Sequence, residues 1–376
     1  MPGPLHGIRI VEFAGIGPGP FAGMMLGDHG AEVIRIERPG GRLDPRDALS
    51  RNRRSVVLDT KTVEGVAVAR DLCRRADGLI EGYRPGVMER IGLGPDVLLT
   101  DNPRLVYGRM TGWGQHGPLA HAAGHDINYI ALSGVLHTVG RAGDRPVPPV
   151  NYIGDFGGGA MMLAFGMVAA LLAVARGGQG QVIDAAMTDG SALLAGMSRY
   201  FLSAGINRDV VGDNMLDGAA HFYDTYECAD GKWIAIGSIE PQFYALLRTQ
   251  AGVAHDPAFD AQHDRSAWPD LKAKLTAIFA TKTRDEWDAS MGGTDVCFAP
   301  VLSMSEALDH PHNVARATFA EIGGAPQPMP SPRYSATPTA MPEPAPTAGA
   351  DVDAVLAELG YDAARIDALR ASGALR

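Results

Sequence analysis

Ile8-Arg9-Ile10-Val11-Glu12-Phe13, followed by Gly15-Ile16-Gly17-Pro18-Gly19-Pro20 and the apolar run from Phe21 to Asp28, decides the fold. The first stretch is β-branched and apolar and reads as a strand. The glycine- and proline-rich piece reads as a turn, and the third as a helix that Gly30 ends. Ala31-Glu32-Val33-Ile34-Arg35-Ile36 then supplies a second strand. A crossover of this length implies parallel pairing. Further short apolar runs at Ser55 to Leu58, Gly78 to Ile80, Leu105 to Arg109 and Gln181 to Ala185 alternate with helical patterns such as Val63 to Arg75. That rhythm predicts an α/β fold with a doubly wound, Rossmann-like large domain over residues 1–191.

Composition shifts after Ser191. Residues 192–220 read as a linker that begins with a helix. From 221 to 309 a smaller α+β domain is expected. Tyr223 to Glu227 and Trp233 to Gly237 flank Ala229-Asp230-Gly231, a hairpin signal, and helices follow at Gln242–Ala251, Trp268–Thr281 and Thr283–Met291. Residues 325–349 are rich in Pro, Ala, Thr and Ser and read as an extended strap. Within 310–376 they lead to a terminal helix pair, Val352–Leu359 and Asp362–Ser372.

The 376 residues carry 46% hydrophobic and 20% charged residues and a net charge of −10, an ordinary globular balance. An acidic chain has no general attraction for nucleic acid or anionic membrane, so an anion site must be a local basic cluster. Cys73, Cys228 and Cys297 show no metal or disulfide spacing and suit a reducing, cytoplasmic setting. The longest apolar run, Ala160 to Ala175, is shorter than a bilayer span and reads as a helix inside a large domain.

Gly17-Pro18-Gly19-Pro20-Phe21-Ala22 matches a dinucleotide fingerprint, and Glu37 stands where a ribose-binding acid would. Pro18 and Pro20 lack the N–H groups a pyrophosphate turn uses, which leaves a purely structural turn as the other reading. Arg35, Arg38, Arg42, Arg46 and Arg51-Asn52-Arg53-Arg54 form either a polyphosphate clamp or a salt-bridged face. Gly82-Tyr83-Arg84-Pro85-Gly86 could grip a phosphate and stack a base. Two acid–base residues sit beside glycines ahead of apolar helical stretches: His125 in Gly124-His125-Asp126-Ile127-Asn128-Tyr129, and Asp155 in Gly154-Asp155-Phe156-Gly157-Gly158-Gly159. At such helix starts the unpaired backbone N–H groups stabilise developing negative charge.

Taken together these motifs, with Glu37-Arg38-Pro39, Asp184-Ala185-Ala186-Met187, Gly237-Ser238-Ile239-Glu240-Pro241-Gln242-Phe243 and Ala299-Pro300-Val301, resemble the family III CoA-transferase superfamily and, within it, the branch of α-methylacyl-CoA racemases. The resemblance spans most of the chain. It implies an interlocked homodimer whose large domain is a modified Rossmann fold completed by the C-terminal segment, with each active site between the large domain of one chain and the small domain of the other. For the CoA moiety it implies Arg38, Leu58, Asp59, Thr60, Lys61, Gly82, Tyr83, Arg84 and Arg90, with the segment Gly124, His125, Asp126, Ile127, Asn128 and Tyr129 around the thioester.

The implied reaction interconverts (2R)- and (2S)-2-methylacyl-CoA through an enolate. His125 and Asp155 would be the two acid–base groups, and Asp126 would supply a backbone N–H to the enolate oxygen. Glu240 of the second chain would orient His125. An imidazole, with its ordinary pKa near ~6.5, works in either direction near neutrality, whereas a carboxyl starting near ~3.9 needs burial to donate a proton. The partners implied are an acyl-CoA substrate and a second copy of the chain, with neither metal nor separate cofactor, nucleic acid nor membrane. Met161, Met162, Met187, Met197 and Met215 are either an adaptable acyl surface or ordinary core. Histidine at 125 and Ser238-Ile239-Glu240-Pro241 in place of a glycine-rich loop favour proton transfer. The alternative is CoA transfer with Asp155 as nucleophile; an NAD-dependent dehydrogenase and a non-catalytic acyl-CoA carrier are the readings outside that chemistry.

Overall fold

Six strands of the first half pair side by side: β1 (Arg9–Phe13), β2 (Glu32–Glu37), β3 (Arg53–Val57), β4 (Gly78–Glu81), β5 (Val106–Thr111) and β6 (Gln181–Ala186). The computed structural model describes residues 3–375, so Met1, Pro2 and Arg376, at the ends of the outer expected segments, lie outside the described residues. The sheet is parallel throughout, in the order β3-β2-β1-β4-β5-β6, which is the doubly wound dinucleotide-fold order. Val11 stands opposite both Ile34 and Leu79.

Side-chain alternation along each strand feeds two cores. Val11, Ile34, Leu79 and Tyr107 point to one face, with α2 (Val63–Arg74) and the C-terminal helices. Their neighbours Ile10, Val33, Ile80 and Val106 point to the other, under α1 (Pro18–Asp28) and α6 (Met161–Ala175). Short helices α3 (Val87–Arg90), α4 (Pro95–Asp101), α5 (Asp126–Leu132) and α7 (Met187–Leu194) complete the first half.

Two compact units emerge. The first comprises 3–133, 150–194 and 312–375 among the described residues; the second comprises 134–149 and 195–311. The linker expected at 192–220 is corrected by this division. From Ala195 the chain belongs to the second unit, where it forms α8 (Gly196–Ser203) and a loop closed by Asn214, whose Nδ2 donates to the carbonyls of Arg208 and Val210. Residues 134–149 also join that unit, through Arg141 Nη1 on Asp224 Oδ1 at 2.5 Å.

The second unit has an antiparallel sheet of β7 (Tyr223–Glu227), β8 (Trp233–Gly237) and β9 (Phe298–Pro300), with β9 not foreseen. Against it pack α9 (Pro241–Gln250), α10 (Trp268–Phe279) and α11 (Arg284–Met291) through Phe222, Tyr226, Leu247, Leu275, Phe279 and Trp287. Helix α12 (Met304–Asp309) and the boundary helix α13 (Pro311–Ala315) lead the chain back to the first unit.

There the expected strap opens with a hairpin of β10 (Phe319–Ile322) and β11 (Ala325–Pro328). The return continues to α14 (Val352–Glu358) and α15 (Ala363–Ala371). It is tied to the sheet by Asp351 N–H donating to the Ser55 carbonyl and Asp59 N–H donating to the Ala374 carbonyl.

One helical feature differs from expectation. Tyr152–Ala160 is π-helical and runs directly into α6, giving a continuous helix, Tyr152–Ala175, of 24 residues. By length and composition this helix is long and apolar enough to cross a bilayer, which the shorter expected run was not, and half of its most apolar 18-residue window is buried inside the protein. Leu163, Ala164, Met167 and Leu171 fill the core, while Met161, Phe165, Val168 and Leu172 are exposed.

Candidate active site

In a doubly wound sheet, ligands bind beyond the carboxyl ends of the strands where the order reverses, here between β1 and β4. A cavity of about 900 Å³ lies there, entirely within the first unit. Its walls are the segments that leave β1 (13–20), β2 (37–42), β4 (82–85) and β5 (110–113), joined by Gly124, His125, Tyr129, Asn151, Asp155 and Met187.

Both expected acid–base groups line it. His125 is the N-cap of α5, with an extended backbone (φ −133°, ψ 174°), and its N–H donates to Asn128 Oδ1 at 3.0 Å. The side chain is exposed. Asp126 opens the helix, where first-turn N–H groups lack intrahelical acceptors. Tyr129 fixes the approach to this corner. Its hydroxyl donates to the Gly124 carbonyl at 2.5 Å, and its ring meets Trp113 edge to face at 4.8 Å.

Asp155 sits in the π-helix rather than in a turn before a helix. π-Segments are rare and recur at functional sites. Two close approaches explain the glycines here. A Cβ on Gly158 would stand 2.5 Å from the Ser191 nitrogen on α7, and one on Gly17 would stand 3.1 Å from Asp155 Oδ2. Asn151 Nδ2 donates to Asp155 Oδ2 at 3.1 Å, and Asp155 N–H donates to Asp126 Oδ2 at 2.6 Å. Burial, foremost, raises the Asp155 carboxyl above the usual carboxylate range. The Asn151 hydrogen bond opposes this, the Asp126 charge adds to it, and His125 opposes it more weakly. Sequence reasoning missed Asn151, whose signal is its place four residues ahead of Asp155.

The arginine cluster divides by partner. Arg35 pairs with Glu12 at 2.8 Å and Glu37 at 2.5 Å, Arg53 with Glu12 at 2.9 Å, and Arg51 with Asp28 at 2.5 Å, all buried. Arg54 bridges Glu32 and Glu358, and Arg46 holds Asp44. A clamp of all these arginines is therefore excluded: Arg35, Arg51 and Arg53 are neutralised inside the protein, and Arg46 and Arg54 are paired nearer the surface. Glu37, engaged by Arg35, is likewise not a free ribose acceptor. Arg38, Arg42 and Arg84 line the cavity and, among the described residues, their side chains have no ion pair or hydrogen bond. Three unpaired guanidinium groups at one cavity of an acidic chain make a local anion site.

Gly82 and Tyr83 stand beside Arg84 in the wall. The Tyr83 N–H is held by Glu81 Oε2 at 2.7 Å and its ring by Phe13 at 6.2 Å, edge to face. Not every expected position joins them. Leu58 is 1% exposed in the core with its N–H on the Glu37 carbonyl, and Asp59 Oδ1 accepts the Lys61 N–H. Leu58, Asp59, Thr60 and Lys61 thus end β3 outside the cavity lining. Arg90 ends α3, exposed and also outside it. Ile127 faces solvent, and Asn128 borders a separate hollow with Trp113 and Leu132. Of the five methionines, Met187 alone reaches the cavity, where Met110 joins it.

Glu240 lies in the second unit as the exposed N-cap of α9 and, among the described residues, its side chain makes no capping hydrogen bond. Its charge is felt by Cys297, whose thiol burial, foremost, pushes up. Among the described residues no group of histidines, cysteines and carboxylates is arranged to hold a metal ion.

The parallel sheet, the switch-point cavity and the histidine–aspartate pair define a ligand-binding α/β enzyme, and comparison with known proteins gives its class. Residues 5–352 match the model of CoA-transferase family III, and the chain belongs to that family. It is 47% identical over 360 residues to the α-methylacyl-CoA racemase of Mus musculus, covering 95% of this chain and 93% of that protein. To the human protein of the same name it is 47% identical over 315 residues, covering 84% and 82%. A crystal structure of a CAIB/BAIF family protein from Brucella suis superposes with a TM-score of 0.83 at 25% identity, covering 96% of this chain and all of that one.

Proposed function

We propose that this chain is an epimerase of 2-methylacyl-CoA thioesters that moves one proton off, and another onto, the carbon beside the thioester. The observation that carries the reading is the presence of an imidazole and a carboxyl in one cavity whose mouth holds three unpaired arginines. Arg38, Arg42 and Arg84 suit the phosphates of CoA, and Tyr83 suits its base. The α-carbon then lies between His125 and Asp155. One takes the proton as the other returns one to the opposite face, and the Asp126 N–H steadies the enolate oxygen. A well-placed donor of that kind lowers a barrier by roughly 3–4 kcal/mol.

The high identity to relatives named racemases supports this chemistry over CoA transfer. So does the state of Asp155. A nucleophile must be ionised, whereas burial and the neighbouring Asp126 favour the protonated form. Glu240, unpartnered within its own chain, is the group a second copy would bring to His125. A homodimer would also cover the exposed apolar row Met161, Phe165, Val168 and Leu172. In this reading CoA enters as part of the substrate with no further cofactor, and the substrates are branched-chain acyl thioesters of lipid metabolism. The setting is cytoplasmic, in keeping with three free cysteines.

The test is incubation of pure (2R)-2-methylacyl-CoA in D₂O with NMR at the α-position. Deuterium uptake with loss of optical purity is expected. Retained protium would eliminate this reading for that substrate, and an acyl-enzyme trapped by hydroxylamine would replace it with the transferase one.

A further inference from the structure

Asp126 is 6% exposed, yet its side chain is committed on one oxygen only. Oδ2 accepts the Asp155 N–H at 2.6 Å, a short, charge-assisted bond. Oδ1 is buried and, among the described residues, has no hydrogen-bond partner. A buried acceptor left unmade is destabilising, and a Ser hydroxyl could accept from the same N–H without a second buried polar atom. The contact is also tight. A Cβ at residue 154 would fall 2.4 Å from Asp126 Oδ2, so glycine there lets the carboxylate reach the π-helix. The chain thus places a second carboxylate directly behind the first.

We infer that the Asp126 side chain is a positioning residue for the reaction proposed above: it fixes the backbone of Asp155 and, by its charge, adds to burial in disfavouring the Asp155 carboxylate. This goes beyond the Asp126 N–H, because it concerns the opposite end of the same residue. Two neighbouring carboxyls resist ionising together. Burial of Asp155 acts in the same direction as the Asp126 charge, and together they hold its carboxyl above the usual carboxylate range. The other groups that face Asp155 are His125, whose positive form acts in the opposite sense, and Asn151, which donates to Oδ2. Tyr129 is the remaining titratable neighbour, and the Arg84 charge acts on its hydroxyl. Asp126 thereby helps this carboxyl to hold a proton that it can deliver.

The experiment is a ¹³C NMR titration of the Asp155 carboxyl in the full chain, wild type against Asp126→Asn, with the resonance assigned from Asp155→Asn. Asparagine keeps an acceptor for the Asp155 N–H but removes the charge. We expect the Asp155 midpoint to fall by at least ~0.5 pH unit. The acid limb of the kcat/KM profile should move the same way, which a merely structural role would not produce. An unchanged or raised midpoint in folded Asp126→Asn overturns the inference. If that variant does not fold, Asp126→Ser, which keeps an acceptor oxygen and also removes the charge, takes its place with the same two outcomes. Absence of α-proton exchange in the wild-type protein would refute the epimerase reading and leave the carbon titration valid.

Discussion

At the residue scale the site is a matter of which charges remain unpaired. The sequence shows arginines from 35 to 54 but not their partners, because Glu12, Asp28 and Glu32 meet them only when β1, β2 and β3 lie side by side. His125 and Asp155 were legible as candidates from their glycine neighbours. Their meeting in one cavity, and the Asn151 and Asp126 contacts that hold Asp155, depend on tertiary structure. Asp155→Asn and His125→Ala should each lower kcat at least ~10²-fold with smaller effects on KM. Steady-state kinetics with either enantiomer check this, and wild-type turnover in one variant removes that residue from the scheme. Arg38→Ala should raise KM roughly tenfold at unchanged kcat, because a phosphate contact binds ground and transition states alike.

Elements were legible to the extent that their signals were local. The six parallel strands show as short apolar runs, and Tyr223–Glu227 and Trp233–Gly237 match their hairpin reading residue for residue. Strand β9 was not legible, since three residues pair with β8 only through tertiary structure. The β10–β11 hairpin carries a local signal in Gly323-Gly324, which Pro326 and Pro328 on an edge strand obscured. The π-helix has no sequence period of its own. Helix α7 packs against it so closely that a Cβ on Gly190 would collide with the Gly158 backbone. Gly158→Ala should therefore lower stability by about 1–3 kcal/mol, read as a reduced unfolding midpoint. It should also depress kcat by displacing Asp155. An unaltered midpoint and turnover would show that the packing yields freely.

For the whole molecule, the second unit is an insertion in two pieces, and residues 312–375 return to finish the first. Sequence reading found the return and the two domain types. It set the boundaries by composition, which cannot report that Arg141 pairs with Asp224 or that Ala220 is fully buried. The second unit also carries a built-in pH dependence. His221 is fully buried with Nε2 on the Tyr244 hydroxyl at 2.7 Å, and burial, then the Lys272 and His263 charges, depress its pKa to about 4. Between its ordinary value of ~6.5 and about 4 the unfolded chain binds a proton that the folded one does not, so stability falls as pH drops through that window. Unfolding followed by tryptophan fluorescence near pH ~5 and ~7 should show this loss, and His221→Phe should flatten it. An equal slope in the variant would assign the pH dependence elsewhere.

The central claim is that one small carbon acid sits between an imidazole and a carboxyl. It is tested most directly by a crystal structure of the protein with a bound 2-methylacyl-CoA. The account predicts the thioester α-carbon within about 3–3.5 Å of both the His125 ring and the Asp155 carboxyl, on opposite faces. A thioester whose α-carbon reaches only one of the two would contradict it.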